Sequence, residues 1–172
     1  MLRAFIAVKL SDALKGHIGE VQAELKRRVF GLDGLGWVRP EGIHLTLRFL
    51  GDIAKEQVGA LGAMLRDVAA GMTPFALDAR GIGAFPDPRA PRVIWLGLQG
   101  TPESMAALRR MQARIEDGVV GLGFPRESRA FTAHLTLARV RDRKSGAALA
   151  KVLEANQYRV VGGLTVASVG LV

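Results

Sequence analysis

Two identical tetrapeptides, His44-Leu45-Thr46-Leu47 and His134-Leu135-Thr136-Leu137, stand ninety residues apart in a chain of 172 residues. Each alternates polar with apolar side chains, and a period of two is the signature of a half-buried β-strand. His44 and Thr46 therefore share one strand face while Leu45 and Leu47 occupy the other, and the second tetrapeptide divides in the same way. Residues two apart on a strand are separated by roughly 6.6 Å, a spacing at which one small anion meets both the imidazole and the hydroxyl. The repeat restricts the chain to folds with two equivalent strands, and side by side those strands make a four-point cradle.

The segments between the motifs read as an α+β fold. Arg3 to Val8 forms a strand, and Ser11-Asp12 then caps a helix to about Arg28 with Leu14, Ile18, Val21 and Leu25 on its apolar stripe. Glycines from Gly31 to Gly36 break that helix; the first motif strand runs from Ile43 to Leu50 and is ended by Gly51-Asp52. A helix is expected from Ile53 to Ala70, a strand from Phe75 to Arg80, a proline-containing loop from Gly81 to Pro91, and a strand from Arg92 to Leu98. Thr101-Pro102-Glu103 opens a helix that buries Met105, Leu108, Met111 and Ile115 and ends in the glycines from Gly118 to Gly123. The second motif strand spans Phe131 to Val140, followed by a short helix from Ser145 to Glu154. A closing strand from Leu164 to Val172 stops abruptly, which leaves room for an adjoining tail. Similar strand and helix order in both halves predicts one domain over residues 1–172. Its two similar lobes, each an antiparallel-rich sheet with helices on its outer face, enclose a central groove.

Composition removes several function classes. A hydrophobic content of 49% argues for a packed core and against disorder. No apolar run reaches the roughly 18 residues that a membrane span requires, and the N-terminus is charged too early for a signal peptide. A cytoplasmic protein without a membrane partner is the expectation. The absence of cysteine excludes disulfides, thiolate metal sites and cysteine nucleophiles. With 24 Lys and Arg against 16 Asp and Glu, the formal charge of +8 favours a polyanionic partner, although solubility alone would explain it equally well.

Two imidazoles on opposed strands can hold opposite protonation states near neutrality, one taking a proton from water and the other giving one to a departing oxygen. The threonine hydroxyls would hold phosphoryl oxygens. Against this stands the ordinary alternative that either histidine is a core residue bonded to a carbonyl. Zinc is disfavoured by the lack of a thiol, of an HExxH helix and of a third ligand at suitable spacing. His17 lies on the first helix with a surface or packing role. Arg48 shares parity with His44 and Thr46 and so points into the groove, whereas Arg139 has the wrong parity unless its strand bulges. Arg39 and Arg129 are groove rim or solvated surface; Arg89 and Arg92 in the proline-containing loop are placed to guide a phosphate backbone. Trp37, Phe49, Phe85 and Trp95 are either base-stacking or core residues.

The paired His-x-Thr-x strands resemble the two-histidine (2H) phosphoesterases, and the surrounding strings resemble RNA 2′,3′-cyclic phosphodiesterases of the LigT/ThpR-like 2′-5′ RNA ligase family. The strings are Arg3 to Val8, Trp37 to Gly51, Pro91 to Gly97 and Phe131 to Val140, in matching order. The resemblance implies metal-independent, cofactor-free hydrolysis of a ribose 2′,3′-cyclic phosphate to a 2′-phosphate, with 2′-5′ joining of RNA ends as the reverse reaction. It implies His44 as proton donor to O3′, His134 as proton acceptor from water, and Thr46 and Thr136 as phosphate ligands. It also places an arginine at the position of Arg139 in the substrate site, with Arg48 as the alternative. The expected protein is a monomer acting on RNA with cyclic phosphate ends, tRNA fragments among them. Competing readings are a phosphodiesterase for 2′-5′ oligoadenylates or small cyclic nucleotides, and a non-catalytic RNA- or nucleotide-binding module.

Overall fold

In the computed structural model, which describes residues 1–172 except the side chain of Arg143, both motif strands lie inside antiparallel sheets. The chain runs β1 (Leu2–Lys9), α1 (Asp12–Arg28), β2 (Leu35–Trp37), β3 (His44–Ile53), α2 (Gln57–Ala70), β4 (Phe75–Phe85) and β5 (Val93–Gln99). It continues through α3 (Pro102–Gly121), β6 (His134–Val140), α4 (Gly146–Ala155), β7 (Val160–Val166) and β8 (Gly170–Leu171). One sheet has the order β3-β1-β8 and the other β2-β6-β5-β4-β7. This is the expected α+β class, with one motif in each sheet.

Local chemistry explains the helix starts. Ser11 Oγ accepts from the Leu14 N–H at 3.2 Å and Thr101 Oγ1 from the Ser104 N–H at 3.1 Å, so each satisfies one of the orphan donors at a helix N-terminus. Pro102 occupies the first turn of α3, where its missing N–H costs nothing. Leu14, Ile18, Val21 and Leu25 of α1 and Leu108, Met111, Ile115 and Val119 of α3 are buried, and removing each such side chain from water contributes roughly 1.5–3 kcal/mol.

The helices exchange sheets. α1 follows β1 but packs along β7 and reaches β6, while α2 contacts β8 and α3 runs beside α2 against β3. The closing segment is divided too: β7 pairs with β4, whereas β8 returns to β1, where Phe5 and Val172 exchange two backbone hydrogen bonds of 2.9 Å. The lobes are thus not the two halves of the chain, and the expected single strand from Leu164 to Val172 is split between them.

Two glycines account for the other differences from expectation. Gly51 at φ +74° lets β3 continue through a bulge to Ile53, and Gly81 at φ +81° lets β4 continue to Phe85. The sequence reads both as strand ends, but a left-handed glycine inside an antiparallel pair makes a bulge instead. The loop between β4 and β5 is correspondingly short.

Candidate functional site

The motif strands β3 and β6 pack against one another at the junction of the two sheets. Both carry the same irregularity. In β3, Thr46 pairs with Ala7 and Arg48 with Ile6, so Leu47 is an extra residue; in β6, Thr136 pairs with Trp95 and Ala138 with Ile94, so Leu137 is extra. A bulge of this kind resets the in–out alternation. Leu47 and Arg48 are accordingly buried in succession and Phe49 is exposed; Leu137 and Ala138 are buried in succession and Arg139 is exposed.

This geometry corrects the reading of Arg48 as a groove residue. Its side chain is buried, its Nε lies 2.7 Å from Glu116 Oε2, and it donates to the carbonyls of Phe49, at 2.5 Å, and Pro125. Glu116 Oε1 in turn accepts from the Glu127 N–H at 2.8 Å. The extra residue Leu47 turns Arg48 to the helix side, where it ties β3, α3 and the segment leading to His134 into one network. Arg139 is the converse. The bulge at Leu137 brings it back to the exposed face that strict alternation would deny it, the face of His134 and Thr136.

Each motif histidine is oriented by its own chain. His134 Nδ1 lies 2.7 Å from the Thr132 carbonyl, which can only accept, so Nδ1 carries a proton and the lone pair of the neutral ring falls on Nε2. His134 therefore keeps one ring nitrogen for chemistry. The Gly42 carbonyl, again two residues back, lies close enough to the His44 ring to favour its protonated form. Phe5 stacks on His44 at 4.4 Å between centroids, and Phe85 meets His134 edge-on at 5.0 Å. Burial pushes the His44 imidazole below its ordinary value, and the nearby Lys15 charge lowers it further against the opposing pull of the Gly42 carbonyl.

Sequence reasoning missed the residue that holds the second bulge. Gln22 of α1 is buried and its Nε2 donates to Val38 O at 2.8 Å and to Leu137 O at 3.1 Å. Leu137 O also accepts from the Val38 N–H at 2.9 Å. The available signal was a carboxamide four residues after Ile18 and three before Leu25, inside an apolar helix stripe. Glu116, between Ile115 and Val119 on α3, gave the same signal.

Among the aromatic candidates, Trp95 lies 5.3 Å from Phe85 and covers Gly83, where a side chain would collide with the indole. A cavity of about 160 Å³ opens beside His134 and is lined by Trp95, Gly97, Gln99 and Thr132 among others. Trp37 sits under Lys26 at 5.6 Å, and Phe49 is 59% exposed. Arg129 is paired with Glu127, and Arg39 is exposed ahead of β3. His17 is exposed and lines a separate cleft between α1 and β7 that contains no motif residue. Among the described residues, no group of three or more His, Cys, Asp or Glu is arranged to hold a metal ion, and no helix is long and apolar enough to cross a membrane.

Comparison with known proteins gives a consistent result. A family model described as LigT like Phosphoesterase matches residues 8–95 and 100–172. The RNA 2′,3′-cyclic phosphodiesterase of Methanothermobacter thermautotrophicus is 35% identical over 170 residues, covering 99% of this chain and 88% of that protein. The RNA 2′,3′-cyclic phosphodiesterase of Archaeoglobus fulgidus is 34% identical over 140 residues, covering 81% and 73%. The crystal structure of TT0787 of Thermus thermophilus superposes with a TM-score of 0.76 at 26% identity, covering 99% of this chain and 87% of that one.

Proposed function

This chain belongs to the LigT-like phosphoesterases, and from that premise we propose that it hydrolyses the 2′,3′-cyclic phosphate at an RNA terminus to a 2′-phosphate. The observation that carries the proposal is the matched pair of rings: on each motif strand the carbonyl two residues behind the histidine stands beside its ring, as the partner of Nδ1 at His134 and as a group that favours protonation at His44. Two rings so oriented supply a proton acceptor and a proton donor without a metal.

His134 Nε2 takes a proton from water as the water oxygen forms its bond to phosphorus. The bond from phosphorus to O3′ breaks, and His44 delivers its proton to O3′, leaving the phosphate on O2′. Thr46 and Thr136 donate hydroxyl hydrogens to the phosphoryl oxygens, and Arg139 offers a planar cation to the developing charge. His44 must be protonated to act, and its burial works against that in the free protein. The anionic phosphate opposes the shift once bound, so proton affinity rises where the proton is needed. The domain that does this is the whole of residues 1–172, because the two lobes share their helices and their closing strand.

The test is the product formed from an oligoribonucleotide ending in a 2′,3′-cyclic phosphate, in the presence of chelator. The proposal expects a 2′-phosphate end at undiminished rate. A 3′-phosphate, or loss of turnover on chelation, would overturn it.

A further inference from the structure

We infer that the end of β6 beyond Arg139 is a landing surface for the RNA backbone upstream of the reacting terminus, an inference that rests on the function proposed above. Five cations belong to the segments gathered at that end. Arg139 and Arg141 lie at the end of β6 and just past it. Arg92 is held opposite by the hydrogen bond from the Val140 N–H to its carbonyl at 2.8 Å, and Val93 pairs with Arg139. Arg89 belongs to the loop between β4 and β5, and its carbonyl lies 2.8 Å from where a Cβ on Gly146 would stand, which puts that loop against the start of α4. Lys144 is two residues before Gly146. All five side chains are exposed.

The two ends of β6 differ in the state of their counter-charges. At the opposite end of β6, before His134, Arg126 is paired with Asp117 and Arg129 with Glu127. At the far end none of Arg89, Arg92, Arg139, Arg141 and Lys144 has an ion pair among the described residues. The nearby acids are Asp33, Asp87 and Asp142. Two of them are engaged with backbone: Asp87 accepts from the Arg89 N–H at 2.7 Å and Asp142 from the Lys144 N–H at 2.9 Å. At this end of the strand that carries His134 and Thr136, a phosphate contact displaces only mobile counterions and breaks no ion pair. With the cyclic terminus at His134 and Thr136, the inferred path takes the upstream nucleotides past Arg139 toward Arg141 and Arg92.

The experiment compares an oligoribonucleotide with a mononucleotide, both ending in a 2′,3′-cyclic phosphate, in the native protein and in R92Q/R141Q. Native protein should favour the oligonucleotide in kcat/KM. In the double variant the oligonucleotide KM should rise severalfold and the slope of log KM against log salt should flatten by about 1.4, at roughly 0.7 per single-stranded phosphate contact. Mononucleotide turnover should be unchanged. An unaltered oligonucleotide advantage and salt slope in the variant would overturn the inference. Should neither substrate be turned over, the phosphodiesterase reading fails by itself. Fluorescence anisotropy of an oligoribonucleotide bearing a 2′-phosphate then decides the rim, since a salt slope equal in both proteins contradicts it and a flatter one in the variant sustains it.

Discussion

The two motif strands differ after their bulges. On β3 the bulge sends an arginine inward, where Arg48 meets Glu116, and leaves Phe49 outside. On β6 it leaves Arg139 outside and sends inward only Ala138. The same backbone device thus builds a structural ion pair in one lobe and frees an exposed cation beside the motif in the other. The bulge is held by different chemistry as well, by the Arg48 guanidinium on its own strand in the first case and by a carboxamide from α1 in the second. Symmetry between the lobes is therefore confined to what both histidines require, and the surroundings are free to specialise.

The most severe way to break the equivalence is to remove one ring. His44→Ala and His134→Ala should each lower kcat on a cyclic-phosphate oligonucleotide by about 10²–10⁴, with RNA affinity by anisotropy nearly unchanged, because general acid–base transfer contributes on that scale. A loss confined to one of them would show that the motifs are not equivalent.

Glu116→Ala addresses the structural half. It strands a buried guanidinium, and denaturant unfolding should show a loss of about 3–5 kcal/mol. Arg139→Gln, its exposed counterpart, should leave stability within about 0.5 kcal/mol while raising KM.

Gln22→Leu asks whether the second bulge depends on its clamp. Leaving the Val38 and Leu137 carbonyls short of a donor should cost about 1–3 kcal/mol of stability. Its effect on KM should largely vanish in an Arg139→Gln background, since both changes act on the same contact.

The smallest expected effect concerns Lys15. Its charge helps hold the His44 imidazole low, so Lys15→Met should move the alkaline limb of kcat/KM to higher pH. The sign for stability is opposite to that of an ion-paired histidine. A neutral ring is favoured in the folded state, so the stabilisation from His44 is present above the unfolded imidazole value and is lost as pH falls through the lowered folded one.

Much of this was legible in the residues. Alternation identified both motif strands and the faces of His44, Thr46, His134 and Thr136, and cap chemistry located Ser11 and Thr101. What alternation cannot reveal is a bulge, because an extra residue such as Leu47 or Leu137 changes pairing without changing composition. Arg48 reads as a groove residue for that reason, and the orientation of Arg139 follows only from the pairing register. The exchange of helices between sheets is equally hidden, since an apolar stripe on α1 states that a face is buried but not against which sheet. Gln22 and Glu116 are visible as polar residues within such stripes, yet their partners lie far along the chain and are brought near only by the fold.

The central claim is that two imidazoles share one proton cycle, and the pH dependence of kcat/KM in three proteins tests it most directly. The native enzyme should give a bell; the residual activity of His44→Ala should no longer fall on the alkaline side, and that of His134→Ala should no longer fall on the acid side. Retention of both limbs in either variant, or a near-native rate in one of them, would contradict the account.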